Sequence, residues 1–170
     1  MWSRAVSAPA EVLTGLCRRL VVCLCVFVPW ATLCEAQRPL TIQGTRSLTF
    51  GTLLAGVNKS VLRTDAIHSG QFDINGPSRS NVLLTFTLPT AMAGPAGATL
   101  PLSFGANDGG WSPPQQIGSQ GGFDPRVPYN APLDQNGKVS VYLGGTAKPT
   151  ANQKAGSYTG TVTLTVVVLP

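Results

Sequence analysis

The residues that most constrain this chain are its last dozen. From Ser157 to Val168 apolar and polar side chains alternate: Tyr158, Gly160, Val162, Leu164, Val166 and Val168 fall on one side, Thr159, Thr161, Thr163 and Thr165 on the other. A period of two puts alternate residues on opposite faces of a strand, whereas a helix needs a period near 3.6. β-Branched residues crowd this segment and suit a pleated, half-buried surface. The spacing predicts one long strand of about 12 residues, against a typical five or six.

The same pattern recurs upstream. Leu40 and Ile42 open a first strand. Leu48, Phe50 and Leu53 make a second, with Gly51 as its bulge, and Val61–Thr64 a weak third. Gln71–Ile74 is a fourth, stopped by the turn signal Asn75-Gly76-Pro77. Val82–Leu88 places Val82, Leu84, Phe86 and Leu88 on one face. Thr99–Phe104 does the same with Leu100, Leu102 and Phe104, and Pro101 inside it argues for a sheet edge. Asp134–Gly137 reads as a tight turn into Lys138–Leu143. Between Gly105 and Gly137, seven glycines and five prolines blur the signal, and short irregular strands or a surface excursion are expected there. No stretch combines helical period with helix formers. The expectation is an all-β fold, an Ig-like or pilin-like antiparallel β-sandwich of about seven or eight strands.

The first 36 residues read as an address. Arg4, Arg18 and Arg19 precede an apolar run from Leu20 to Leu33, which Pro29 interrupts. At 14 residues the run is shorter than the ~20 of a membrane span, and it suits a secretory leader. Cys34 and Ala36 are the small residues at minus three and minus one of a cut before Gln37. Leu33 before Cys34 argues against lipidation. The Arg18-Arg19 pair hints at twin-arginine export, but such pairs are common in ordinary signals and the general secretory route is expected. The stretch before Arg18 is long, which leaves the true start codon open. The division expected is a signal peptide over 1–36 and a single domain over 37–170, exported to periplasm, cell surface or medium, with no membrane span in the mature chain.

Cleavage removes Cys17, Cys23, Cys25 and Cys34, so the mature domain has no disulfide and no thiolate metal site. It keeps 134 residues and a net charge of +4, and is long enough to bury roughly two thirds of its unfolded surface.

Catalytic material is sparse. His68 is the sole imidazole; Asp65 and Ser69 flank it, but a polar loop explains the trio more simply than a hydrolase triad. Asp65, Asp73, Asp108, Asp124 and Asp134 show no ligand spacing and suit turns. No glutamate follows Glu35, which removes the usual glycosidase acid. No phosphate-cradling glycine motif stands between a strand and a helix. No enzyme, cofactor or metal is expected. Nine scattered basic residues without interleaved aromatics argue against nucleic acid. Asn58-Lys59-Ser60 matches a glycosylation acceptor, a triplet common by chance. Trp111, in Gly-Gly-Trp-Ser-Pro-Pro, and Tyr129 are candidate contacts for a glycan or surface protein, although Trp111 folded onto the core is the simpler reading.

Several elements in order carry a family resemblance: Leu40-Thr41-Ile42, Leu48-Thr49-Phe50-Gly51, Phe72-Asp73-Ile74-Asn75-Gly76, Val82 to Pro89, Val141-Tyr142-Leu143-Gly144-Gly145-Thr146, and Ala155-Gly156-Ser157-Tyr158-Thr159-Gly160. The mature chain resembles the secreted bacterial domain of unknown function 4402, a family similar to spore coat protein U domains and fimbrial subunits. The resemblance implies an exported sandwich that self-assembles or is handled by a periplasmic chaperone, and it supplies no catalytic residues. It also implies strand addition, in which a neighbour's extension fills an open groove. The donor would be the Leu40/Ile42 segment, and Tyr158, Val162, Leu164, Val166 and Val168 would border the acceptor groove. The chain departs from chaperone-dependent pilins in lacking a mature disulfide and in ending Val168-Leu169-Pro170. The competing interpretations are that Leu40 and Ile42 pair within their own sandwich, and that the domain is a monomeric adhesin-like module binding through loops 105–137.

Overall fold

A computed structural model describes residues 38–170; the leader expected over 1–36 lies outside them. Twelve strands follow in order: β1 Thr41–Arg46, β2 Lys59–Val61, β3 Gly70–Asn75, β4 Asn81–Thr87, β5 Ala91–Ala93, β6 Thr99–Ser103, β7 Gly109–Ser112, β8 Gly121–Phe123, β9 Tyr129–Pro132, β10 Lys138–Leu143, β11 Gly145–Ala147 and β12 Thr163–Val168. They form a five-stranded sheet β1-β3-β10-β7-β8, a four-stranded sheet β2-β11-β6-β5 and a three-stranded sheet β12-β4-β9. Every strand pair is antiparallel.

The main core lies between the five- and three-stranded sheets. Ile74, Val139, Val141 and Phe123 come from one sheet, and Val82, Leu84, Ala131, Leu164 and Val166 from the other. The expected period-two faces of β4 and β12 meet Val139 and Val141 of β10 here, which makes the fold an all-β sandwich. Phe72, Phe86, Phe123 and Tyr129 run through it, with centroids 5.9, 6.4 and 4.4 Å apart in succession. β10 is central and covered on both sides: on its other face Ser140 and Tyr142 are each 1% exposed, and the Ser140 hydroxyl donates to Asp73 Oδ1 (2.7 Å). A second, smaller core of Phe50, Val61, Leu100 and Ala147 lies under the four-stranded sheet.

There are more strands than the expected seven or eight because 105–137 forms three short ones, β7, β8 and β9, and because two runs change sheets. β10 passes through Gly144 directly into β11. A Cβ at Gly144 would stand 2.5 Å from the Val61 carbonyl oxygen and 2.7 Å from the Arg63 nitrogen, so only glycine allows this close crossing. β4 likewise passes through Leu88–Thr90 into β5.

Three expectations are corrected. Leu48–Leu53 is not a strand: Leu48 and Phe50 pack into the second core from a loop, and Gly51 takes a left-handed φ of 62° rather than forming a bulge. Pro101 is not on an edge strand, because β6 lies between β11 and β5. Its carbonyl accepts from Lys148 N–H (2.9 Å), and its missing N–H falls just past the end of the β11 ladder, where no further bond is required. The long C-terminal strand is also shorter than expected. Thr163 pairs with Thr87, and Thr159 bridges Ala93. Four residues on one side thus span six on the other, and the ladder breaks around Pro89, which has no N–H to donate.

Candidate strand-addition edge

β12 is an outer strand of its sheet. Leu169 N–H donates to the Asn81 carbonyl (2.8 Å), in continuation of the register that pairs Val168 with Val82. In an antiparallel ladder, residues bonded to one neighbour alternate with residues whose N–H and C=O point the other way. Thr163, Thr165 and Val167 are therefore bonded to β4, while Leu164, Val166 and Val168 present their backbone groups at the open edge. The same three side chains turn into the core. Outside, Val167 is 54% exposed. β12 carries no charge, proline or bulge, the usual devices that blunt a free edge. Other edges are blunted: β2, β5 and β8 have three residues each, and β9 ends in Pro132.

β1 borders the other sheet and pairs with β3 inside the chain, Ile42 opposite Ile74. It is held by its backbone ladder to β3 and by Arg46 rather than by buried side chains. Five of its six residues are exposed, Ile42 to 41%, and its register slips between Gly44 and Arg46. Leu40, just before it, rests against the main core. Between β1 and the run Gly160–Val162 lies a groove of about 360 Å³, with Leu48, Phe72 and Val162 among its walls.

Tyr158 is not on this edge. Its hydroxyl donates to the Lys154 carbonyl (2.7 Å) and accepts from Gln153 Nε2 (2.6 Å), and its ring packs on the second core. This is a tyrosine corner, a hydroxyl tied to backbone a few residues upstream where the chain turns into a strand. The period-two pattern of the segment gave no sign of it.

The two nominated aromatics do meet. Trp111 Nε1 donates to Tyr129 Oη (2.7 Å), and both are half-buried against the main core. The indole N–H is thus satisfied within the pair.

Asp65, His68 and Ser69 form a closed loop. Asp65 Oδ1 accepts from the His68 and Ile67 N–H groups (2.9 and 2.8 Å). These bonds, the His68 one first, hold its carboxyl below the ordinary range. His68 Nδ1 stands 3.1 Å from Asp65 Oδ2. The Ser69 hydroxyl donates to the Asp65 carbonyl (2.5 Å) and accepts from Arg46 Nη2 (2.8 Å), so it is a structural tie and is fully buried. Arg46 closes the loop with further bonds to the Ser69 and Ala66 carbonyls, 2.6 Å each. Among the described residues, no three His, Cys, Asp or Glu side chains are placed to hold a metal ion, and no helix is long and apolar enough to cross a membrane.

The family model described as a domain of unknown function, DUF4402, matches residues 41–167, from the first residue of β1 to the penultimate residue of β12. No curated protein and no solved structure matches the chain. With the whole sandwich covered by that one model, the chain belongs to the domain of unknown function 4402 family.

Proposed function

We propose that this chain is a non-enzymatic structural or interaction domain of the bacterial exterior, exported behind residues 1–36, which assembles by strand addition in the manner of fimbrial and spore-coat subunits. One observation carries the reading: β12 presents an unblunted edge, while β1 holds its place with few buried side chains and a 360 Å³ groove opens between it and the run Gly160–Val162 that leads into β12. An extended segment adding to β12 gains main-chain hydrogen bonds at Leu164, Val166 and Val168, and the groove sets its register. The donor is the Leu40/Ile42 segment of a second copy, or the strand of a periplasmic chaperone.

The test is light scattering with size-exclusion chromatography on the chain exported to a periplasm without added chaperone. Oligomers that a peptide spanning residues 37–50 dissolves to monomer support the reading. The exposed positions Thr165 and Val167 accept lysine without touching the core, and T165K/V167K should abolish assembly and peptide capture. A cooperatively unfolding monomer that ignores the peptide refutes strand addition. In that case the half-exposed Trp111–Tyr129 pair favours the second reading, a monomeric module that contacts a glycan or surface protein.

A further inference from the structure

The second core is open at one end. Residues 47–58 and 148–162 are long connections with no strand structure beyond the single bridge at Thr159, and loops of this length in compact domains are usually functional. They face each other across a crevice of about 730 Å³ and are tied by the bond from Gly56 N–H to the Thr150 carbonyl (3.0 Å). That volume is within the range of small-molecule sites, roughly 300–1,000 Å³. The floor is apolar. Phe50 and Leu100 are buried beneath it, and Leu53, Met92 and Tyr158 remain only half-covered. Met92 adds a side chain that adapts to irregular tails.

The rim is cationic. Lys154 lines the crevice. The Lys59 ammonium stands 3.6 Å from where a Cβ on Gly51 would project, and Gly51 is another lining residue. Neither loop contains an aspartate or glutamate, so the positive charge has no acidic partner within the loops that carry the crevice.

We propose that this crevice binds a single-chain anionic amphiphile, an acyl chain ending in a carboxylate, with its tail on the Leu53/Met92/Tyr158 floor and its headgroup at the lysine rim. Charge complementarity selects this occupant: an uncharged tail leaves the lysines without a partner, and a purely acidic chain leaves the floor exposed. The site is separate from the β12 edge and stands whether or not strands are exchanged.

Calorimetric titration of the full chain with dodecanoate, below its micellar concentration, tests the proposal. The expected result is saturable one-site binding, weakened about tenfold or more in K59Q/K154Q. Leu53→Asp should weaken it similarly, and Lys138→Gln, on β10 in the five-stranded sheet and outside the crevice lining, should leave it unchanged. Dodecyl maltoside and oligoglutamate should each bind at least about tenfold more weakly than dodecanoate. No saturable dodecanoate binding overturns the proposal. So does equal affinity in K59Q/K154Q, equal affinity for the maltoside, or oligoglutamate binding as tightly. Both lysines are exposed, and a circular dichroism spectrum matching the parent confirms that the double variant is folded.

Discussion

Replacing Tyr158 with phenylalanine isolates the corner. The ring and its packing on the second core are kept; what is lost is the donor to the Lys154 carbonyl at 2.7 Å and the acceptor for Gln153 Nε2 at 2.6 Å. A typical intramolecular hydrogen bond contributes about 1 kcal/mol net, and a buried group left unpaired costs more. Two mitigating facts hold the figure down. Lys154 is exposed, so its carbonyl can turn to water, and the Gln153 amide keeps its bond to the Thr99 carbonyl (3.0 Å). The expected loss is about 1.5–2 kcal/mol. At ~2.1 cal/mol/K per residue over about 130 ordered residues, the unfolding entropy is roughly 0.28 kcal/mol/K, so Tm should fall by about 5–7 °C. Thermal unfolding followed by far-UV circular dichroism measures it. Gln153→Ala combined with Tyr158→Phe closes a cycle in which the two losses should be less than additive, because both remove one shared bond. A Tm within about 1 °C of the parent, or full additivity, would refute the claim that the hydroxyl locks the turn into β12.

Three further outcomes are expected. Gly144→Ala places a methyl against the Val61 and Arg63 backbone and should cost about 2 kcal/mol or more in urea unfolding, whereas Gly118→Ala, with open space around it, should cost far less. Arg46→Met removes three bonds to loop 66–69 and should cost about 2 kcal/mol, with hydrogen exchange rising first at the Ser69 amide and its neighbours. Asp124 is pulled down to about 2 by the Arg126 side chain and backbone N–H. Its folded-state value lies below its unfolded one, so the stabilisation is present above about pH 4 and fades as pH falls through 2. A carboxylate NMR titration should show that midpoint return toward the ordinary range in Arg126→Gln, and a midpoint unmoved by the substitution would count against the pairing.

What was legible in the chain was whatever a local pattern encodes. The alternating faces of Val82–Leu88 and Leu164–Val168 became inner faces of the sandwich, because period two and burial on one side are the same statement. The Asp134–Gly137 turn also formed: the Gly137 N–H reaches the Asp134 carbonyl, and Asp134 Oδ1 takes the Asn136 and Lys138 N–H groups. Strands built of glycine and alanine, such as Gly109–Gly110, Gly121–Gly122 and Ala91–Ala93, left no such mark, since their place in a sheet comes from the neighbour that accepts their backbone bonds.

Strand neighbours were a tertiary decision throughout. Nothing local in Thr41–Arg46 specifies β3 as its partner, and nothing local in Pro101 reveals that its silent side faces the end of a ladder. The Tyr158–Val168 run kept its alternation, yet Pro89, some seventy residues earlier in the chain, broke its ladder and turned Tyr158 from an edge residue into a corner. By itself the sequence determined which faces are apolar and where the Asp134–Gly137 turn falls, because side-chain chemistry and φ preferences act over a few residues. The open edge, the corner and the half-covered second core depend on backbone hydrogen bonds and packing between distant segments, and only the folded chain brings those together.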